Sequence, residues 1–300
     1  MASLTLSTLA NQQAKLPIVL LTRDTHIEGK WLLDLQNVLI AKGAVVQLLP
    51  LSSFTKIGNW RMLINRCSDA APPIDVKRCM AILRSAELHG IKTINGLSCY
   101  TIGTSKVLHH ELFDSVGVES PTWVQITCGN TLEDIVQVVE SVGIRYPLLI
   151  KPNAGGFGNG IAKVVTANDF TLEILNDAYG DDGIAMLQQL ETPEDGFIYR
   201  VFFLNGEVQC GVRVPVNTLD SFNACVCSTK FEAWIPPVEV ANDIKAMACK
   251  SNADCGSVEL MYPCLLSKPL YFDFNLLSTM PYEQCYEQLA DYILLESNKE

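Results

Sequence analysis

The sequence predicts a mixed α/β (α+β) protein in three lobes: a parallel α/β layer, a small α+β lobe and a mainly antiparallel lobe. Three features of the chain predict this. In the first third, apolar runs of strand length alternate with amphipathic stretches that stop at Gly43 and Gly90, as in a parallel layer covered by helices. In the middle, a glycine-rich stretch lies between two strand-like runs rather than before a helix. In the last third, Asn205-Gly206 joins two apolar runs, the strongest short hairpin signal a sequence offers. A chain of 300 residues, 48% of them hydrophobic, can build a substantial core.

Residues 1–16 are Ser/Thr-rich, lack an apolar stretch of secretory length and read as a disordered, frayed terminus. Residues 17–95 form the first lobe, with strands over 18–21, 45–51, 61–65 and 91–94 and helices over 31–42 and 75–89. Residues 96–190 form the central lobe. There Thr104 or Ser105 caps a helix that carries Lys106 and ends by Gly117, and a strand follows over 123–126. Asn130 with Glu133 opens a helix to Val142 as a capping-box variant. Strands over 147–151 and 161–166 flank the glycines, Asn168 caps a helix to Tyr179, and 184–190 is extended. Residues 191–300 form the last lobe, with strands over 197–204 and 207–214, a helix over 238–251, an apolar hairpin within 256–281 and a terminal helix over 281–295.

Composition removes some classes of function. The net charge of −11 argues against nucleic acid as a partner, because affinity for a phosphate backbone comes from clustered Lys and Arg. It also weighs against a densely phosphorylated substrate. The 11 cysteines are odd in number and scattered. The nearest set, Cys225, Cys227, Cys249 and Cys255, lacks zinc-site spacing, so the cysteines read as reduced thiols of a cytoplasmic protein. No run approaches membrane-spanning length, so no membrane partner is expected.

The chemistry concentrates at the C-terminal end. The segment GSVELMYPCLLSKPLYFDFNLLSTMP, 256–281, places Glu259 in one apolar strand and Asp273 and Asn275 in the next. Two carboxylates and an amide on an otherwise apolar hairpin are costly to bury unpaired, and a hard divalent cation shared with phosphates resolves that cost. Upstream, KPNAGGFGNGIAKV, 151–164, puts Gly155, Gly156, Gly158 and Gly160 at a hairpin tip whose amides can drape over phosphates, with Lys151 in the strand before it. Walker and Rossmann loops are excluded because both open a helix. Gln188, Gln189, Leu190 and Glu191 close an apolar strand where an adenine edge and ribose hydroxyls find partners. Arg200 and Arg213 stand on the two arms of the Asn205-Gly206 hairpin and suit planar anions, although for either one taken alone a structural salt bridge is the plainer reading. His109 and His110, on the Lys106 helix, receive no role.

In this order the motifs resemble the ATP-grasp superfamily over about 96–281, with a first lobe similar to the domain that precedes that fold. LINRCSDAAPPID followed by GIKTINGLSCYTIGTSKVLHHELFDSVGVESPTW resembles the ribosomal-protein glutamate ligase and glutathione synthetase-like branch. The resemblance implies ATP between the central and last lobes. Lys106 and Lys151 would contact its phosphates, the four glycines would form a mobile lid, and Gln188, Gln189, Leu190 and Glu191 would hold adenine and ribose. It further implies Arg200 and Arg213 at the transferring phosphoryl group and acyl substrate. Glu259, Asp273 and Asn275 would hold two Mg²⁺ ions, with Mn²⁺ the alternative, and Arg66, Asn217 and Ser278 would line the substrate side. The chain departs from the family pattern at Gln189 and Asp273, where Glu is common, and at Ile198, where Asp is common.

The implied activity is an ATP-dependent carboxylate–amine ligase that forms an amide through an acyl phosphate, on an amino acid, peptide or similar small carboxylate. A homodimer is implied by resemblance only. Two other readings stay open on the sequence: a small-molecule kinase of the inositol phosphate type, and a non-catalytic nucleotide-binding protein.

Overall fold

The computed structural model describes residues 16–156, 158–216, 231–263, 268–277 and 281–299. The expected frayed terminus therefore lies almost wholly outside the described residues. The first sheet is parallel, in the order β2-β1-β3-β4, built from β1 (Ile18–Thr22), β2 (Val46–Pro50), β3 (Met62–Asn65) and β4 (Thr93–Ile94). All five β1 residues are buried, as expected for a strand covered on both faces. Helices α1 (Lys30–Ala41) and α2 (Pro73–Leu88) make the crossovers, and α1 buries Leu32, Leu35 and Leu39 at helical spacing.

Two helices lead to the second lobe: α3 (Leu97–Gly103), which the sequence reading passes over, and α4 (Lys106–Val116). Ser105 caps α4 by accepting a hydrogen bond from Leu108 N at 3.2 Å, and Gly117 ends it at φ 76°. The second sheet is antiparallel, in the order β5-β8-β6-β7, from β5 (Trp123–Thr127), β6 (Leu148–Pro152), β7 (Ala162–Val164) and β8 (Ile184–Gln189). Its helices α5 (Leu132–Val142) and α6 (Leu172–Tyr179) correct two expected caps. Thr131, not Asn130, caps α5 in a capping box with Asp134, because the Asn130 side chain is taken by the Thr127 amide at 2.8 Å. Thr171, not Asn168, caps α6, the preceding residues forming a separate 3₁₀ turn.

The third sheet, order β11-β10-β9-β12-β13, contains β9 (Phe197–Leu204), β10 (Glu207–Pro215), β11 (Glu232–Trp234), β12 (Cys255–Met261) and β13 (Leu270–Asn275). Asn205 and Gly206 join β9 to β10 with φ of 52° and 74°, the positive pair a two-residue hairpin turn requires. Helix α7 (Val238–Ser251) packs Val240, Ile244 and Met247 with Tyr199, Val201, Val258 and Leu260, so it covers one face of the sheet. The last helix, α8 (Glu283–Ser297), packs instead on the first sheet, where Leu289 and Ile293 join Ile18, Leu20 and Leu35.

First and third sheets thus share their cores. Val19 and Leu63 lie in one apolar cluster with Val201, Val258, Phe274 and α4 Phe113. The second sheet has a core of its own, from Ile126, Ile135, Val139, Leu148, Ile150, Leu175 and Leu187. Buried Asn95 clips the first and third sheets together. Its Nδ2 donates to Cys255 O at 2.8 Å and Leu276 O at 3.1 Å, while its Oδ1 accepts from Asp254 N at 3.0 Å and Cys255 N at 3.2 Å. Among the described residues no helix is long and apolar enough to cross a membrane.

Candidate functional site

Strand register assembles the acidic end of the site. Arg200 on β9 pairs with Glu259 on β12, which pairs with Asp273 on β13, so the three stand in one cross-strand row. That row lies on the face away from α7, since side chains alternate and the adjacent Tyr199, Val258 and Phe274 point to α7. Arg200 and Glu259 form a salt bridge. Asn275 Nδ2 donates to Asp273 Oδ2 at 3.1 Å, leaving the amide oxygen for another partner. His109, on α4, places Nδ1 3.1 Å from Asp273 Oδ1 and Nε2 3.1 Å from Gly103 O.

A further carboxylate joins them. Asp69, in the loop after β3, accepts from Leu276 N and Ala70 N, both at 3.0 Å. Burial first, and the charge of Asp273 second, push its carboxyl up to about 6. Burial also pushes Asp273 upward, but the hydrogen bond and charge of His109, with Lys106 and Arg200, outweigh it and hold this carboxyl well below its ordinary range. Among the described residues no group of three His, Cys, Asp or Glu side chains is arranged to hold a metal alone. An all-oxygen set of Asp273, Glu259 and Asn275 still fits Mg²⁺, which takes one or two carboxylates and completes its shell with water and phosphate oxygens. The mutual repulsion of Asp69 and Asp273 is the imbalance such a cation relieves.

The second lobe supplies the cationic side. Lys151 on β6 and Gln188 on β8 share a face, and Lys151 Nζ donates to Gln188 Oε1 at 2.8 Å. The same ammonium lies 5.9 Å from the ring centroid of Phe272, the neighbour of Asp273. Burial, with Lys106 adding to it and Asp273 opposing, lowers Lys151 to about 8. Lys106 opens α4, donating Nζ to Gly155 O at 2.7 Å and its amide to Asn153 O at 2.9 Å. Asn153 accepts from Ser105 Oγ at 2.8 Å and Val107 N at 3.1 Å and donates to Asp182 at 2.8 Å, tying the start of α4 to the glycine hairpin.

Gly155, Gly158 and Gly160 take φ of 102°, 72° and 73°, a backbone shape that disfavours other residues. Gly156 approaches the first lobe so closely that a Cβ there would sit 2.6 Å from Ala70 Cβ, one residue from Asp69. The hairpin therefore reaches across from the second lobe to the acidic end.

Several expected residues are not brought together. Arg213 pairs with Tyr199 across β9–β10, which puts it on the opposite sheet face from Arg200. There it bonds Glu232 at 2.7–2.8 Å and stacks 4.2 Å over Phe197, so the expected pairing of the two arginines in one site is corrected. Gln189 alternates away from Gln188. Its side chain bonds Glu191 and accepts from Arg145 N at 3.4 Å, and Gln189 and Glu191 line an outer cleft of about 520 Å³ with Asp114 and Thr122. Leu190 N is held by Pro147 O at 3.3 Å. Asn217 and Ser278 lie outside the described residues. Arg66 is buried beside Trp31.

Asp69, His109, Asn153 and Phe272 escape the sequence reading. His109 had a readable signal, since it follows Lys106 by three residues and so shares its helix face. His110, by contrast, packs against Trp123 and Phe113, and burial drives its ring down to about 3.

No protein-family model and no curated protein matches the sequence. Solved structures do match. The ATP-grasp ligase PsnB, complexed with minimal precursor, Mg and ADP, has a TM-score of 0.65 at 15% identity, covering 94% of this chain and 98% of its own. The D-cycloserine synthetase DcsG has a TM-score of 0.68 at 12% identity, covering 92% and 99%. The D-alanine–D-alanine ligase of Bacillus anthracis has a TM-score of 0.67 at 17% identity, covering 94% and 97%. The fold of this chain is the ATP-grasp fold over nearly its whole length.

Proposed function

We propose that this chain is an ATP-dependent carboxylate–amine ligase. One observation carries the reading: Lys151 of a separately cored lobe meets Phe272, beside the Arg200–Glu259–Asp273 row, beneath a glycine hairpin that spans both sides. Cations on one wall and carboxylates on the other suit a magnesium nucleotide. In the proposed reaction a substrate carboxylate takes the terminal phosphoryl group of ATP, releasing ADP, and an amine then displaces phosphate to leave an amide.

Asp273, Glu259 and Asn275 would hold Mg²⁺, which when bound supplies positive charge at the phosphate oxygens. Lys151 and Lys106 neutralise phosphate charge from the other wall. His109 orients Asp273, and Asn153 fixes Lys106 against the lid. Arg200, through its salt bridge, holds Glu259 in place. The glycine hairpin excludes water while the activated carboxyl awaits its amine. The ligase neighbours, one of them holding Mg and ADP, support the reading, and the Asn65-Arg66 and Asn95 segments support the ribosomal-protein glutamate ligase branch.

The test is ADP release with Mg²⁺ and ATP, alone and with pools of amino acids, dicarboxylates and peptides. ADP and free phosphate in amounts that depend on an added amine support the ligase. A phosphorylated product made without an amine supports the kinase. No thermal stabilisation by millimolar Mg·ATP would sink both.

A further inference from the structure

At the carboxyl end of the first sheet stands a charge without a partner. Arg66, the residue after β3, is 1% exposed, and its Nε and Nη2 have no hydrogen-bond partner. Its guanidinium sits 4.9 Å over the Trp31 ring. Among the described residues no carboxylate pairs with it. The ionisable groups that act on it are the Cys255 thiol and the Tyr286 phenol, and burial pushes that thiol up to about 12, so it is neutral near pH 7. Arginine does not escape by losing its proton. A buried, unopposed guanidinium therefore demands an anion.

The surroundings point the same way. Thr22, at the end of β1 beside Arg66, has a buried hydroxyl with no partner, and so has His26 Nδ1. His26 packs edge-on to Trp31 at 5.9 Å. Trp31 lies in the first turn of α1, whose N-cap Gly29 offers no side-chain bond. Thr22 Oγ1, His26 Nδ1 and the Nε and Nη2 of Arg66 thus leave four unpartnered buried side-chain atoms in one region of the first lobe. They lie outside the carboxyl ends of parallel strands, the position where α/β sheets hold ligands. Three residues further along the same loop, Asp69 accepts from Leu276 N at the acidic end of the proposed nucleotide site, so one loop of the first lobe connects the two.

We propose that Arg66, with Trp31, Thr22 and His26, binds the non-reacting carboxylate of a small substrate. Charge count selects a carboxylate over a phosphate. The nearby Arg23 is already neutralised by Asp75 at 3.0 Å, which leaves one positive charge for one negative charge. The planar fork of arginine matches a carboxylate in two bonds. Enclosure of the guanidinium limits the ligand to a small molecule, so an amino acid or a dicarboxylate fits and the tail of a folded protein does not. The assignment rests on the ligase reading for the fate of that molecule but not for its binding.

The experiment measures the melting temperature of the full-length protein with the common amino acids, succinate and glutarate at millimolar concentration. Each acid is paired with its carboxamide, with and without Mg·ATP. A free acid that stabilises the protein at least roughly tenfold more effectively than its amide is expected, and Arg66→Gln should abolish that preference. The amino-acid and dicarboxylate arms identify the source. Equal binding of acid and amide overturns the proposal, as does a panel in which no free acid shifts the melting temperature. These comparisons on the unaltered protein decide the matter even if Arg66→Gln does not fold. Acid–amide discrimination without stabilisation by Mg·ATP would retain the Arg66 site and discard the ligase reading, whereas the reverse pattern would discard only the site.

Discussion

The central lobe and the two sheets that flank it bury their apolar residues differently. The second sheet closes its core within itself, from Ile126 to Leu187. The first and third sheets share one large cluster and are clipped by the four side-chain bonds of Asn95. Over this joined base, the central lobe contributes Lys151 and the glycine hairpin, which meet it where Lys151 lies 5.9 Å from the Phe272 ring and Gly156 comes up against Ala70. The division suits the proposed ligase, which would hold its metal ligands rigidly and still admit a nucleotide.

The largest effect should come from the rigid half. Asp273→Asn keeps the side-chain shape but removes the charge a cation needs, and turnover should fall by on the order of 10²–10³. The melting temperature should move little. Steady-state ADP release checks this, and turnover near the parent value would show that the cation lies elsewhere.

Next comes the clip. Asn95→Ala strips buried partners from Cys255 O, Leu276 O and the amides of Asp254 and Cys255, and its φ of 51° suits alanine poorly. A loss of about 3 kcal/mol is expected in denaturant unfolding. Hydrogen exchange should speed up in the first and third sheets and stay slow in β6 and β8. Uniform loosening of all three sheets would erase the contrast between the lobes.

Much of this was legible in the sequence, and the reason is period. Alternation of strand and helix gave the parallel layer, and Asn205-Gly206 gave the hairpin, because both signals are local. The acidic row was legible for the same reason: Glu259 and Asp273 belong to neighbouring strands. What escaped is set by partners distant along the chain. Arg213 looks equivalent to Arg200 until the register places it on the other face. Asp69 is an ordinary loop residue until Leu276, 207 positions away, donates to it. Gln189 follows Gln188 in a run that shows no preference, and strand parity alone separates them.

The third expectation sets the two lobes against each other through pH. Lys151 has its folded value lowered to about 8, below the ordinary 10.5. The unfolded chain therefore binds more protons between those values, and the unliganded protein should gain stability as pH rises through that window. In the proposed site nucleotide binding needs the ammonium, so affinity should fall as pH passes 8, by up to about tenfold per unit before the phosphates raise the lysine again. Opposite slopes for stability and affinity, both flattened in Lys151→Met, are the expected result of calorimetric titration. Parallel slopes would remove Lys151 from the phosphates.

The smallest effect tests how the lid rests on its base. Gly156 does not need its conformational freedom, since its φ is not among the positive values. It needs space, because a Cβ would sit 2.6 Å from Ala70 Cβ, which has no flexible end to swing aside. Gly156→Ala should therefore hold the hairpin off the first lobe and weaken ATP binding by roughly fivefold, a coupling of about 1 kcal/mol. Ala70→Gly alone should change little. In the double variant the methyl has merely changed sides, so affinity should return to near the parent value. If the two changes simply add, the hairpin does not close against Ala70, and the lid seals the site through some other contact.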